Sequence, residues 1–426
     1  MNLDFKKTTL KNGVRVVSEH HSHSRAVSIG VWVRTGTRHE PSGRTGLTHF
    51  LEHLVFKGTK TKSALQIAKS LEVYGGDLNA YTTREYTCYH ALVLKEHWEK
   101  ALEVLADLVS NWKSSRNDFE LERSVILQEI AMGEDNLEEL VFDIQLERSL
   151  GEHPLGRSII GTVESVSATS MKDVKDYYRK HYNATQIIVS CAGALTHEEL
   201  VSGVQRHLGR KSGARVRTNH KAPRWRPTVH VEDRPVEQLH LLLGFPCPSF
   251  KSPKRYDAFV VNSFLGGGMT SKLYQSVREK KGLAYSVYSS LNTFEDFGML
   301  NIYAACEPRQ MKDVLHSIIH EIERLRKMKV SETAVKQFKT QVKGNLLLGA
   351  EDVENRMSSL GVNEMVFGTY RSVDHVIDEL DRVSVNSVNE FIDSYLDAKT
   401  VSCVLLGGSA QSLTKWVTET IHQWRT

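Results

Sequence analysis

Apolar and polar positions near the start of the chain alternate in the manner of a hairpin: Thr8-Thr9-Leu10, the tight turn Asn12-Gly13, then Val14-Arg15-Val16-Val17. The run from Ala26 to Val33 predicts a third strand. A loop from Thr35 to Gly46 leads into a helix beginning near Leu47. A second, amphipathic helix is predicted from Ser63 to Val73, where Gly75-Gly76 stops it. Strand-like runs follow at Asp77 to Tyr81 and Thr87 to Leu94, then helical stretches at Trp98 to Ser110, Asp118 to Ala131 and Leu137 to Leu150. Strands and helices are mixed along the chain, so the predicted class is α+β.

The second half repeats this plan in weakened form. A helix ends near Lys281-Gly282, a strand carries Leu283 to Val287, a second strand runs from Gly298 to Ala305, and a helix covers Pro308 to Leu325. At 426 residues the chain is comfortable for two domains. They are expected at 1–212 and 229–426. Between them, basic residues concentrate from Arg206 to Arg226 among Gly and Pro without apolar periodicity, which reads as a solvated linker over 213–228.

Composition narrows the classes of function. A formal charge of +4 is small for this length and argues against nucleic acid as the main partner. No stretch is apolar enough to cross a bilayer, and the polar start, with Asp4, Lys6 and Lys7, lacks the features of a secretory or organellar leader. The five cysteines, Cys88, Cys191, Cys247, Cys306 and Cys403, form no Cys-x-x-Cys pair and read as reduced, buried thiols. A cytoplasmic address is the expectation.

The chemistry concentrates in His49-Phe50-Leu51-Glu52-His53. On a helix the two imidazoles lie about 40° apart on one face, and Glu52 lies about 60° to the other side of His49. Both rings can reach one ion, with Glu52 beside it as a general base. Zinc suits an imidazole and carboxylate set with one open position. In a chain with 19 histidines the string alone is weak evidence, and a helix with two histidines on its polar face is the plain alternative. A second helix adds weight: Glu122 and Glu129 are two turns apart and share a face. Glu129 also lies near the apolar run Val125-Ile126-Leu127, where a metal would offset the cost of burying a carboxylate.

His49 to Thr59, with its Phe-Lys-Gly-Thr flank, closely resembles the inverted zinc motif of the pitrilysin and mitochondrial processing peptidase family. The resemblance covers nearly the whole chain. It includes Gly75-Gly76-Asp77-Leu78-Asn79-Ala80-Tyr81-Thr82, Glu122 through Glu129, His153-Pro154-Leu155-Gly156-Arg157, Phe264 to Met269 and Arg278 to Tyr285. It implies two homologous domains, each a mainly antiparallel sheet packed with helices, arranged as a bilobed half-clam. It further implies that one zinc per chain is bound by His49, His53 and Glu129, with Glu52 as base and Glu122 orienting a ligand histidine.

The same resemblance assigns Leu78, Asn79 and Ala80 to a sheet edge to which a peptide adds as a strand. Arg278 and Tyr285 become donors to the oxyanion, supplied by the half without the metal motif; without the resemblance, Tyr285 reads equally well as a packed strand aromatic. Glu139 and Asp143 resemble acids that receive a substrate arginine upstream of the cut, and Phe56 a residue that accepts an aromatic after it; the plain readings are a solvated acidic face and a core phenylalanine. The implied activity is endopeptidase cleavage of extended or unfolded peptides, including basic presequence-like ones, by a homodimer enclosing a chamber. Two alternatives are a catalytic subunit that needs a noncatalytic partner and a noncatalytic structural or binding homologue. Activity of the lone chain and its zinc content discriminate them.

Overall fold

The computed structural model describes residues 4–213, 216 and 221–426, so part of the expected linker (214, 215 and 217–220) lies outside the described residues. The first sheet contains β1 (Asp4–Thr9), β2 (Arg15–His20), β3 (Ala26–Val33), β4 (Asp77–Thr82), β5 (Thr87–Leu94) and β6 (Ile187–Gly193), in the order β1-β2-β6-β3-β5-β4. The second contains β7 (Val229–Asp233), β8 (Leu239–Cys247), β9 (Ser286–Thr293), β10 (Gly298–Cys306) and β11 (Ser402–Gly407), in the order β7-β11-β8-β10-β9. In each, one pair is parallel, β2 with β6 and β7 with β11, and the remaining pairs are antiparallel. Apart from β1, the two sheets share one topology. The repeat seen along the sequence is therefore a repeat of fold.

Helices α1 (Leu47–Val55), α2 (Ala64–Glu72), α3 (Trp98–Asn111), α4 (Arg116–Asp135) and α5 (Leu137–Leu150) follow the predicted periodicity. The first four contribute to one large core against β3, β5 and β6, including Leu47, Phe50, Leu51 and Leu54 of α1. Among the described residues, no helix is long and apolar enough to cross a membrane.

The chain divides into two compact units that differ from contiguous halves in two segments. One unit comprises the described parts of Met1–Met132, Arg157–His220 and Leu348–Arg371; the other comprises Gly133–Gly156, Lys221–Leu347 and Ser372–Thr426. The reason is that each sheet has a second apolar face to cover. Val141 and Ile144 of α5 pack on Leu242, Tyr303, Val404 and Leu406 of the second sheet. Met357, Leu360 and Met365 of the late helix Val353–Val366 or its end pack on Val17, Trp32, Cys88, Ile188 and Ala192 of the first. Two glycines allow that close approach. A Cβ on Gly361 would meet the Trp32 ring at 2.2 Å, and one on Gly30 would meet Met357 Sδ at 2.4 Å.

A buried ion pair fastens the same helix. Arg356 Nε donates to Glu19 Oε1 at 2.8 Å, Arg356 Nη2 bonds Oε2, and Tyr370 and His21 bond the same carboxylate. Burial alone would raise the Glu19 carboxyl, but these hydrogen bonds and the Arg356 charge outweigh it and hold it at about 2.

One predicted strand shifts. The segment Leu283 to Val287 does not extend from its start: Gly282 adopts φ 60, and the Leu283 amide returns to Val277 O at 3.0 Å. These residues close the preceding π-helical segment Tyr274–Glu279, and β9 begins only at Ser286. Similarly, Pro308–Gln310 form a 3-10 turn ahead of the helix Met311–Met328.

Candidate metal centre

The site begins with a capped helix. Gly46, in the left-handed region at φ 87, precedes α1 and has no side chain to offer the free amides of the first turn. Buried Glu40 supplies what is missing: its two oxygens accept from Gly46 N at 3.0 Å and Thr48 N at 2.7 Å. The apolar face of α1 enters the core, which leaves His49, Glu52 and His53 on the other side.

There they meet α4. His49 Nε2 and His53 Nε2 lie 3.8 and 3.5 Å from Glu129 Oε2. The three donors lie within 4.8 Å of one another, the one such trio of His, Cys, Asp or Glu found among the described residues. Burial, and then the charge of His53, lowers His49 to about 3, so it is neutral at ordinary pH and its lone pair is available. Glu122, two turns before Glu129, accepts from His53 Nδ1 at 3.1 Å. A proton fixed on Nδ1 turns the Nε2 lone pair toward Glu129. The other Glu122 oxygen pairs with Lys57 Nζ at 2.6 Å.

Burial raises the Glu52 carboxyl, opposed by a hydrogen bond from Thr82. A carboxyl raised in this way, beside three convergent donors, is suited to accept a proton. The Glu129 side chain is 38% exposed, so geometry supports a metal here and the expected cost of burial does not.

The chain matches known proteins over most of its length. Residues 15–163 match Insulinase (Peptidase family M16), and residues 169–342 match the Peptidase M16 inactive domain. An uncharacterized zinc protease of Mycobacterium leprae is 39% identical over 94% of this chain and 91% of its own length. The chain belongs to peptidase family M16. An uncharacterized zinc protease of Bacillus subtilis, YmxG, is 38% identical over 90% of this chain and 94% of its own length. A crystal structure of a protease from Helicobacter pylori shares the fold, with a TM-score of 0.89 at 22% identity over 95% of this chain and 99% of that one.

Other expected positions in this M16 chain divide by unit. Leu78, Asn79 and Ala80 lie on β4, the edge strand of the first sheet. Asn79 is exposed, while Leu78 and Ala80 pack partly on the core. Phe56 caps the end of α1, half-buried, with its ring 6.2 Å from that of Tyr89. Glu139 is exposed and Asp143 half-buried on α5, the helix that covers the second sheet. In the second unit the Arg278 guanidinium lies between two rings, 4.8 Å from the centroid of Tyr274 and 4.7 Å from that of Tyr285. Tyr285 is 80% exposed, which overturns its reading as a packed strand aromatic. It precedes β9 and borders a groove of about 720 Å³ with Arg278, Tyr288 and Gly266 to Gly268.

Sequence reasoning passed over the contacts of Lys57, Glu40 and Thr82. Lys57 has one legible signal, its position one helical turn after His53. Thr82 closes the Gly75 to Thr82 stretch of the family resemblance, though nothing local marks its contact, and nothing local marks Glu40.

Proposed function

We propose that this chain is a zinc-dependent endopeptidase acting on extended or unfolded peptides. The observation that carries the reading is the convergence of His49 Nε2, His53 Nε2 and Glu129 Oε2, with Glu52 on the same helix face. A tetrahedral ion with bonds of about 2.0–2.2 Å sets its donors about 3.4 Å apart. The His–Glu129 spacings of 3.5 and 3.8 Å lie near that value and all three donors lie within 4.8 Å of one another, so side-chain movements of about 1 Å or less let the residues fit zinc. Zinc held there supplies Lewis acidity toward water and toward the scissile carbonyl.

The chain's own residues supply the rest. Glu52 removes a proton from the attacking water and returns it to the leaving amine nitrogen. The free edge of β4 at Leu78, Asn79 and Ala80 suits main-chain pairing with a peptide, which demands extended substrate and little sequence. Arg278 and Tyr285 keep the implied role of oxyanion donors, supported by their contact with each other and the exposure of Tyr285. Phe56 keeps the implied place beside the residue after the cut. A preference for arginine upstream rests on Glu139 and Asp143. Glu139→Gln with Asp143→Asn should narrow the rate ratio between Arg-containing and Arg-lacking peptides, and an unchanged ratio rejects that preference. The implied homodimer predicts twice the chain mass by light scattering.

The decisive variant is Glu52→Gln. It should keep about one zinc per chain by elemental analysis while peptide turnover falls about 10²- to 10⁴-fold. Normal turnover with zinc retained would refute the assignment.

A further inference from the structure

One hydrogen bond joins the base on α1 to the edge strand beside it. Thr82, the last residue of β4, donates from Oγ1 to Glu52 Oε2 at 2.5 Å. Among the described residues, it is the hydrogen bond this carboxylate receives.

A glutamate side chain turns about three bonds, and a base works best when one oxygen is held in place. Binding Oε2 leaves Oε1 to take the proton. Threonine suits the task, because its branched Cβ restricts χ1 on a strand and so fixes where the hydroxyl points. The placement of the base is thereby tied to β4, the same strand whose edge would receive a peptide.

The second unit contains a neutral hydroxyl-to-helix bond at a different place along its edge strand, since Ser289 pairs with Ile302 in mid-strand whereas Thr82 pairs with Thr87 at the hairpin end. Ser289 Oγ on its edge strand β9 bonds Asn262 Oδ1 at 2.8 Å on the helix Arg255–Gly266. A hydroxyl reaching from edge strand to helix thus recurs in both repeats, but only in the first is its acceptor a carboxylate beside metal donors. We infer that Thr82 is a positioning residue that aims Glu52 and couples the peptide-binding edge to the base. This rests on the peptidase reading above.

The test compares the full-length chain with Thr82→Val, Thr82→Ser and Glu52→Gln on one peptide. For Thr82→Val, kcat should fall about 10- to 100-fold with KM changed by less than about twofold, because the lost bond serves the transition state and not docking. Zinc content should stay as in the parent, and Tm should fall by no more than about 2–4 °C. Thr82→Ser should restore most of the rate, and crystal structures should show the Glu52 carboxylate turned in Thr82→Val and in place in Thr82→Ser. An unchanged kcat in Thr82→Val, equal losses in both variants, or an effect on KM or zinc content instead would overturn the inference. Normal turnover by Glu52→Gln would sink the peptidase reading and this inference with it; an inactive Glu52→Gln beside an unaffected Thr82→Val would sink this inference alone.

Discussion

Helix α1 of the first unit and the helix Arg255–Gly266 of the second occupy the same place in one topology, each against the edge strand of its sheet. The first presents His49, Glu52 and His53 to α4, whereas the second presents Phe259 and Asn262 to a groove bordered by Arg278 and Tyr285. The apolar positions that seat the two helices, such as Leu51 and Leu54 or Val261 and Leu265, are alike in chemistry. Packing therefore tolerates either set of polar residues. A few side chains on the free face decide whether a repeat can gather a metal.

The largest effect should come from removing a ligand. His53→Ala should lose zinc and reduce peptide cleavage to background, while a change at Asn262 leaves zinc content untouched; elemental analysis reads both. If His53→Ala kept its zinc, the contrast between the repeats would fail.

Next comes the ion pair that fastens the helix Val353–Val366. Arg356→Met leaves the buried Glu19 carboxylate without its cation and should cost about 3–5 kcal/mol of stability by denaturant titration. Replacing Glu19 as well, in Glu19→Gln/Arg356→Met, should recover part of the loss. The sign of the pH dependence follows from the lowered carboxyl. Glu19 titrates near 4.5 when unperturbed and at about 2 in the fold, so its stabilising contribution is complete above 4.5 and disappears as pH falls toward 2. Acid unfolding of Arg356→Met should show a shallower dependence across that window.

Glu122→Gln should weaken zinc binding about 10- to 100-fold in chelator competition, since it loosens the hold on His53 Nδ1 without removing a ligand. The smallest effect is expected from Ser289→Ala in the second unit. It removes a neutral hydrogen bond and should lower stability by about 1 kcal/mol with kcat unchanged. A large drop in kcat there would show that the two hydroxyl-to-helix bonds are not specialised as described.

Local features were legible because they depend on neighbours in the chain. The bounds of β3 and α5, the stop at Gly75-Gly76 and the shared face of Glu122 and Glu129 follow from periodicity and turn chemistry. The late start of β9 escaped because the Leu283 amide prefers the end of the preceding helical segment to a strand partner. The Glu40 cap and the Thr82 bond escaped because their partners lie 6, 8 and 30 residues away, with no periodicity between them.

The sequence by itself determined the class of fold, the repeat and which side chains of the candidate metal motif share a helix face, since spacing along a helix sets that. Only the tertiary structure decided that α5 covers the second sheet and Val353–Val366 the first. An apolar helix face specifies that it must be buried, not against which sheet. Tertiary packing likewise brought Glu129 to the two imidazoles, because a carboxylate three helices along the chain reaches them only when both helices dock on one core.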